Sequence, residues 1–175
     1  MTAVVAAVVL AAGAGSRYGG PKQIALLPEV LARVRAAEID EIVVVTGAYA
    51  LEAGVSTVHC PDWELGPGAS LRCGLAALSA SAEAAVVVLA DGPELASEAI
   101  LRVVEAWRRE GAPLVAASYG GMRGHPLLLA RTAWRDVPDE GLRAREPLLV
   151  ACDDLGGPGD VDRPADLPER FKRRG

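Results

Sequence analysis

At 175 residues, 51% of them hydrophobic, the chain is long enough to bury one sizeable core and is read as a single domain over residues 1–175. Ala, Val and Leu dominate and only 4% of residues are aromatic, a composition that suits helices packed on a buried parallel sheet better than a β-sandwich. A net charge of −5 and a pI near 5.1 give no electrostatic case for wrapping nucleic acid.

Residues 3–10 form an apolar run that does not alternate, as expected of a strand buried on both faces. With no basic leader and too few residues to span a membrane, the run reads as core and not as a signal peptide. A glycine loop follows. A helix is expected over 28–40, with Val30, Leu31 and Val34 on one face, then strands over 41–49 and 54–60. After the loop "PDWELGPGAS" comes a helix over 70–82 whose Ser70 would cap its start. A buried strand over 84–95 ends in the acidic turn Asp91–Pro93. Residues 97–111 are amphipathic, with Ser97 as N-cap and Gly111 as stop. Then come a strand "APLVAASY", a turn "GGMRG", an extended "HPLLLA", the segment "EPLLVACDDL", a loop "GGPGDVDRP" and a last helix "PADLPERFKR". The terminal charges "ERFKRRG" read as a solvated tail.

Strands alternating with helices imply a three-layer α/β/α sandwich on a Rossmann-like, mostly parallel sheet. Ligands of such sheets bind outside the carboxyl ends of the strands, where both the glycine loop and the acidic turn lie. Cys60, Cys73 and Cys152 are far apart, odd in number and without a CxxC. Neither a disulfide nor a zinc site is expected, and a reducing cytoplasm fits.

The stretch "VVLAAGAGSRYGGPK" (8–22) carries the first chemical signal. It fails the dinucleotide pattern GxGxxG, because Tyr18 stands where the last glycine belongs. The second strand also ends in Thr46-Gly47, without the acidic residue that binds a ribose. It fails the Walker pattern too, since Gly20 precedes Pro21-Lys22-Gln23. What remains is a loop of backbone N–H groups with two cations, Arg17 and Lys22, able to wrap a triphosphate. The second signal is a strand that delivers Asp91 at its carboxyl end, a position suited to magnesium, which takes one or two carboxylates plus phosphate oxygens. Asp160, Asp162 and Asp166 offer a second carboxylate source. Alone, each aspartate reads as a cap or turn residue; beside a phosphate loop, the metal reading gains weight.

The segments "LAAGAGSRYGGPK", "WELGPGASLRCGL", "VVLADGPEL", "YGGMRGHPLLL" and "GDVDRPADL", in that order, resemble the MobA/MocA-like molybdenum-cofactor nucleotidyltransferases. The closer branch is similar to the molybdopterin cytidylyltransferases. The resemblance spans nearly the whole chain and implies the fold of the nucleotide-diphospho-sugar transferases. It also implies a reaction in which a nucleoside triphosphate and a phosphorylated pterin give a dinucleotide cofactor and pyrophosphate, with Mg2+. CTP is favoured over GTP because the loop reads LAAG, not LAGG. By the same resemblance Leu10, Ala11, Ala12 and Gly13 would line the base and ribose, and Gly15, Ser16, Arg17 and Lys22 the phosphates. Ser70 would lie near the nucleotide, Asp91 and Asp162 would hold the metal, and His125 of "RGHP" would face the pterin. His125 equally reads as a residue that caps a strand or satisfies a buried carbonyl.

Three departures stand out. "PKQIALLPEVLARV" lacks the short G-x-P-L-L stretch that the family places before its first helix. Gly92 stands where glutamine is common, and Arg163 where threonine is usual. Two other classes compete with the transferase: an NAD(P)H-dependent reductase, which some relatives suggest, and a non-catalytic nucleotide-binding partner of a molybdoenzyme or its maturation factor.

Overall fold

The structure, a computed structural model, describes residues 2–14 and 23–172. In chain order its elements are β1 (Val5–Ala11), α1 (Gln23–Ala36), β2 (Glu41–Thr46), β3 (Ser56–His59), α2 (Pro67–Ala77), β4 (Ala84–Leu89), α3 (Ser97–Glu110), β5 (Leu114–Tyr119), β6 (Met122–Ala130), β7 (Leu148–Ala151) and α4 (Glu169–Lys172). Among the described residues seven strands form one sheet, in the order β3-β2-β1-β4-β6-β5-β7. β1 pairs in parallel with both β2 and β4, whereas β6 runs antiparallel to β4 and β5.

The unalternating first strand works as expected. Val5, Ala7, Val9 and Ala11 point to the face covered by α1 and α3, and Ala6 and Val8 to the face covered by α2. Both faces are therefore dry, and the three layers follow. α2 sits very close to the sheet because Gly74 carries no side chain. A Cβ there would lie 2.4 Å from Cγ1 of Val8 and 2.8 Å from Cγ2 of Val45. Gly74→Ala is expected to cost about 1–3 kcal/mol by overpacking, read as a lower midpoint in urea unfolding. An unchanged midpoint would mean that α2 slides outward freely.

Several local expectations are corrected. α1 begins at Gln23, five residues before Pro28, which lies inside the helix. Proline removes one helical donor there, but Leu26, Leu27, Val30, Leu31 and Val34 form a buried stripe that holds the turn before it. The same helix stops at Ala36, followed by Glu38 with φ 54°. Ser70 does not cap α2: Gly66 is the N-cap and Pro67, with its preset φ, takes the first turn. Ser97 is not a cap either; it opens α3 after Ala96, and its hydroxyl donates to the Arg33 carbonyl of α1 at 2.8 Å. Gly111 does stop α3, with φ 66°. The expected five-residue turn shrinks to Gly120–Gly121, both at positive φ, and β6 absorbs Met122–Gly124. The last helix divides into a turn at Pro164–Asp166 and the four-residue α4.

The cysteine expectation also fails. Cys60 and Cys73 form a disulfide, with Cα atoms 5.7 Å apart. Spacing along the chain concealed this, because β3 delivers Cys60 directly beneath α2. Cys152 is free and buried. The oxidation argument for a reducing compartment loses its footing. Among the described residues no helix is long and apolar enough to cross a membrane.

Candidate functional site

β1 and β4 lie side by side with Leu10 opposite Leu89, and the Ala90 N–H donates to the Leu10 carbonyl at 3.0 Å. The chain leaves β1 toward β2 on one side, while β4 occupies the other, so the carboxyl ends of β1 and β4 border a topological switch point. Because β6 is antiparallel, its amino-terminal residues Arg123–His125 reach that same edge. A cleft of about 310 Å³ opens there. The sheet contributes Leu10, Val87, Leu89 and Leu127, α2 contributes Pro67 and Leu71, and the β6–β7 connection contributes Glu140–Arg143.

That connection has little regular structure, and arginines supply its hydrogen bonds. Arg72 of α2 donates to the Val137 carbonyl at 2.7 Å and to Asp139 Oδ1 at 2.5 Å. Arg123 of β6 donates to the carbonyls of Leu142 (3.1 Å) and Arg145 (2.8 Å). Arg145 donates to those of Ala133, Arg135 and Asp136. Gly68 of α2 packs beneath the loop, where a Cβ would meet the Pro138 carbonyl oxygen at 1.6 Å, and its N–H donates to the Asp139 carbonyl. The loop is thus a fixed wall. None of these arginines was singled out from sequence, because carbonyl acceptors leave no side-chain signature.

Asp91 stands two residues past the end of β4, and its Oδ1 is shut off from solvent. The C-terminal segment lies against the turn: the Val161 N–H donates to the Asp91 carbonyl at 2.9 Å, and the Glu94 N–H to the Pro158 carbonyl at 2.8 Å. A Cβ on Gly92 would lie 2.9 Å from Cβ of Pro158, which accounts for glycine at this position. Val161 is fully buried, so its neighbours Asp160 and Asp162 are anchored beside the acidic turn. The capping role falls to Asp166, whose Oδ2 accepts from the N–H groups of Asp162 (3.3 Å) and Arg163 (2.9 Å). Among the described residues no group of three or more His, Cys, Asp or Glu could hold an ion by itself. Carboxylates near a phosphate site are nevertheless the donor set that a hard divalent cation takes, with phosphate and water completing the shell.

Of the remaining sequence candidates, Leu10 lines the cleft, Ala11 and Ala12 are buried at the end of β1, and Gly13 is exposed. Ser70 is buried within α2. Gly15, Ser16, Arg17 and Lys22 lie outside the described residues. At the end of β2, a Cβ on Gly47 would lie 2.6 Å from Cγ of Trp63, and the Thr46 hydroxyl donates to the Val58 carbonyl. The place where a dinucleotide fold presents its ribose carboxylate is therefore packed shut.

His125 lines the cleft, precedes a cis Pro126, and its carbonyl accepts the Tyr119 hydroxyl at 2.8 Å. The Tyr119 ring packs on Gly124, where a Cβ would sit 2.9 Å from the ring. Burial pushes the His125 imidazole down to about 4, with Arg123 lowering it further and Asp91 opposing. Near neutral pH it is an uncharged hydrogen-bonding group, not a phosphate-neutralising cation. The unfolded chain binds this proton below its ordinary value of about 6.5, so stability is full above that pH and declines as pH falls toward about 4. Urea unfolding at pH 7 and pH 4.5 should show the wild type losing about 2 kcal/mol more than His125→Gln. Equal losses would place the proton elsewhere.

Residues 7–147 match the family model of the MobA-like NTP transferase domain. The crystal structure of Rv0371c from Mycobacterium tuberculosis H37Rv is 28% identical, with a TM-score of 0.78, over 98% of this chain and 100% of that one. A structure of the same mycobacterial protein in complex with manganese is 25% identical, with a TM-score of 0.68, over 98% and 97% of the two chains. A nucleotidyl transferase from Methanothermobacter thermautotroptrophicus shares the fold at 19% identity, with a TM-score of 0.72, over 99% and 100%. No curated protein matches the chain. The match begins in β1 and ends beyond the arginine-held wall, so every residue lining the cleft falls within it, and the chain belongs to the MobA-like NTP transferase domain family.

Proposed function

We propose that this nucleotidyltransferase domain, a single unit over residues 1–175, uses magnesium to move a nucleoside monophosphate from its triphosphate to a phosphorylated acceptor. CMP is favoured over GMP, and the acceptor is of the pterin class. The observation that carries the reading is the seating of the Asp91 turn against residues 158–162, at the edge where β1 and β4 open the cleft. Leu10 to Gly13 take the base and ribose side. Gly15, Ser16, Arg17 and Lys22 take the phosphates, Ser70 supports the nucleotide from α2, and Asp91 and Asp162 hold the metal. His125 faces the acceptor. The manganese bound by Rv0371c supports a hard divalent ion here.

An oxygen of the acceptor's phosphate attacks the α-phosphorus in line. The new P–O bond forms as the bond to the bridging oxygen breaks, and pyrophosphate leaves. The bound metal supplies charge neutralisation at the phosphates. The rest of the catalysis is positioning. Arg17 and Lys22 offset the charge gathering on the leaving pyrophosphate, and the wall and His125 hold the acceptor while excluding water. A molybdoenzyme or its maturation factor would receive the dinucleotide.

The test is pyrophosphate release from folded protein given Mg2+ or Mn2+, molybdopterin and each nucleoside triphosphate in turn. Release is expected with CTP. No release with any triphosphate would overturn the reading.

A further inference from the structure

The C-terminal charges, expected to be a solvated tail, are not all free. Arg170 of α4 reaches back to the acidic turn: Nη1 donates to Glu94 Oε1 at 2.5 Å, and Nη2 to the Pro93 carbonyl at 3.3 Å. Nη2 also lies 3.6 Å from Oε1 of Glu29 on α1, the helix that leaves the glycine loop. One guanidinium thus joins three parts of the chain: α1, the turn that carries Asp91, and α4, which follows the segment carrying Asp162. The family match ends at residue 147, so Arg170 lies beyond it while its partners Glu29, Pro93 and Glu94 lie within it.

We propose that Arg170 is a positioning residue for the acidic turn, acting through Pro93 and Glu94 to hold Asp91 against residues 158–162. Each ion pair is partly exposed and contributes little to folding by itself. Its value lies in geometry, because the Asp91 turn is joined to the C-terminal segment by backbone bonds that include Val161 N–H to Asp91 O and Glu94 N–H to Pro158 O. Arg170 ties Pro93 and Glu94, the residues between those two bonds, to α4. A planar fork can serve a carboxylate and a carbonyl together, whereas an ammonium is a single point.

The inference rests on the reading of Asp91 as a metal ligand, so the test has one arm that needs no metal. In the apo full-length protein, Arg170→Ala should speed amide hydrogen exchange at Glu94 and Val161 by about three- to tenfold. Exchange in β1 and β4 should not change. In the second arm, the Mn2+ concentration for half-maximal turnover with CTP should rise by about the same factor, while kcat at saturating Mn2+ changes little. Arg170→Lys should recover part of this, and the reversed pair Arg170→Glu with Glu94→Arg more than either single change. Unchanged exchange at Glu94 and Val161 overturns the clamp. Faster exchange with an unchanged Mn2+ requirement keeps the clamp but removes its tie to the metal. No Mn2+ dependence in the wild type removes the metal reading of Asp91 and that tie together.

Discussion

Asp91→Asn should lose metal-dependent turnover by about 10²–10³-fold while the protein keeps its fold. The substitution conserves shape and removes only the charge. The Asp91 backbone continues to accept the Val161 N–H, and the turn Gly92–Glu94 still rests on Pro158. What disappears is an anionic oxygen at the end of β4, in a place shut off from water. There a divalent ion depends on carboxylate charge. Pyrophosphate release measured against Mg2+ and Mn2+ concentration gives the result, with circular dichroism as the control for folding. If folded Asp91→Asn turns over like the wild type at every metal concentration, Asp91 is a turn residue and the metal is held elsewhere. Asp162→Asn should act in the same direction but less strongly, since Asp162 is exposed and its loss leaves Asp91, whose Oδ1 is shut off from solvent.

The sheet was legible because its strands are buried on both faces. Continuous runs such as Val5–Leu10 and Ala84–Leu89 suit strands covered on both faces of an α/β sheet, and the sequence order alone puts Leu10 and Asp91 at one edge. Caps were less legible. Ser70 and Ser97 have the right chemistry for an N-cap, but Pro67 and the α1–α3 packing claimed those positions, and tertiary contact outweighed local preference. The Cys60–Cys73 bridge was invisible because pairing depends on β3 lying beside α2, not on separation along the chain. The resemblance singled out Asp162, and the backbone bond from Val161 to Asp91 seats it beside the acidic turn. The wall of the cleft had little signal, since apart from the Arg72–Asp139 pair its arginines bond main-chain oxygens.

That wall carries the second large effect. Arg145→Ala should release it, because one side chain there serves three carbonyls: Ala133 at 2.8 Å, Arg135 at 3.2 Å and Asp136 at 2.9 Å. Asp136 has φ 59°, a left-handed backbone that a non-glycine residue keeps only when its surroundings hold it. Removing the guanidinium leaves that conformation unsupported. It also loosens the segment whose Leu142 and Arg145 carbonyls receive Arg123. Charge-assisted bonds of this kind contribute about 1.5–3 kcal/mol each when buried, and these are partly exposed, so a total loss of about 2–4 kcal/mol is expected. Arg145→Lys should recover less than half, because an ammonium cannot fork across three oxygens. The functional consequence separates this residue from an ordinary stabilising one. Glu140–Arg143 line the cleft, whereas Ala11 and Ala12 are buried at the end of β1 and do not line it. The KM for the acceptor should therefore rise about tenfold or more, equivalent to roughly 1.4 kcal/mol of lost positioning, while the KM for CTP stays within about twofold. If both constants rise together, the wall supports the whole domain and not the acceptor. If neither moves and the urea midpoint is unchanged, the loop keeps its place without Arg145 and the cleft is shaped by Arg72, Arg123 and the glycines of α2 alone.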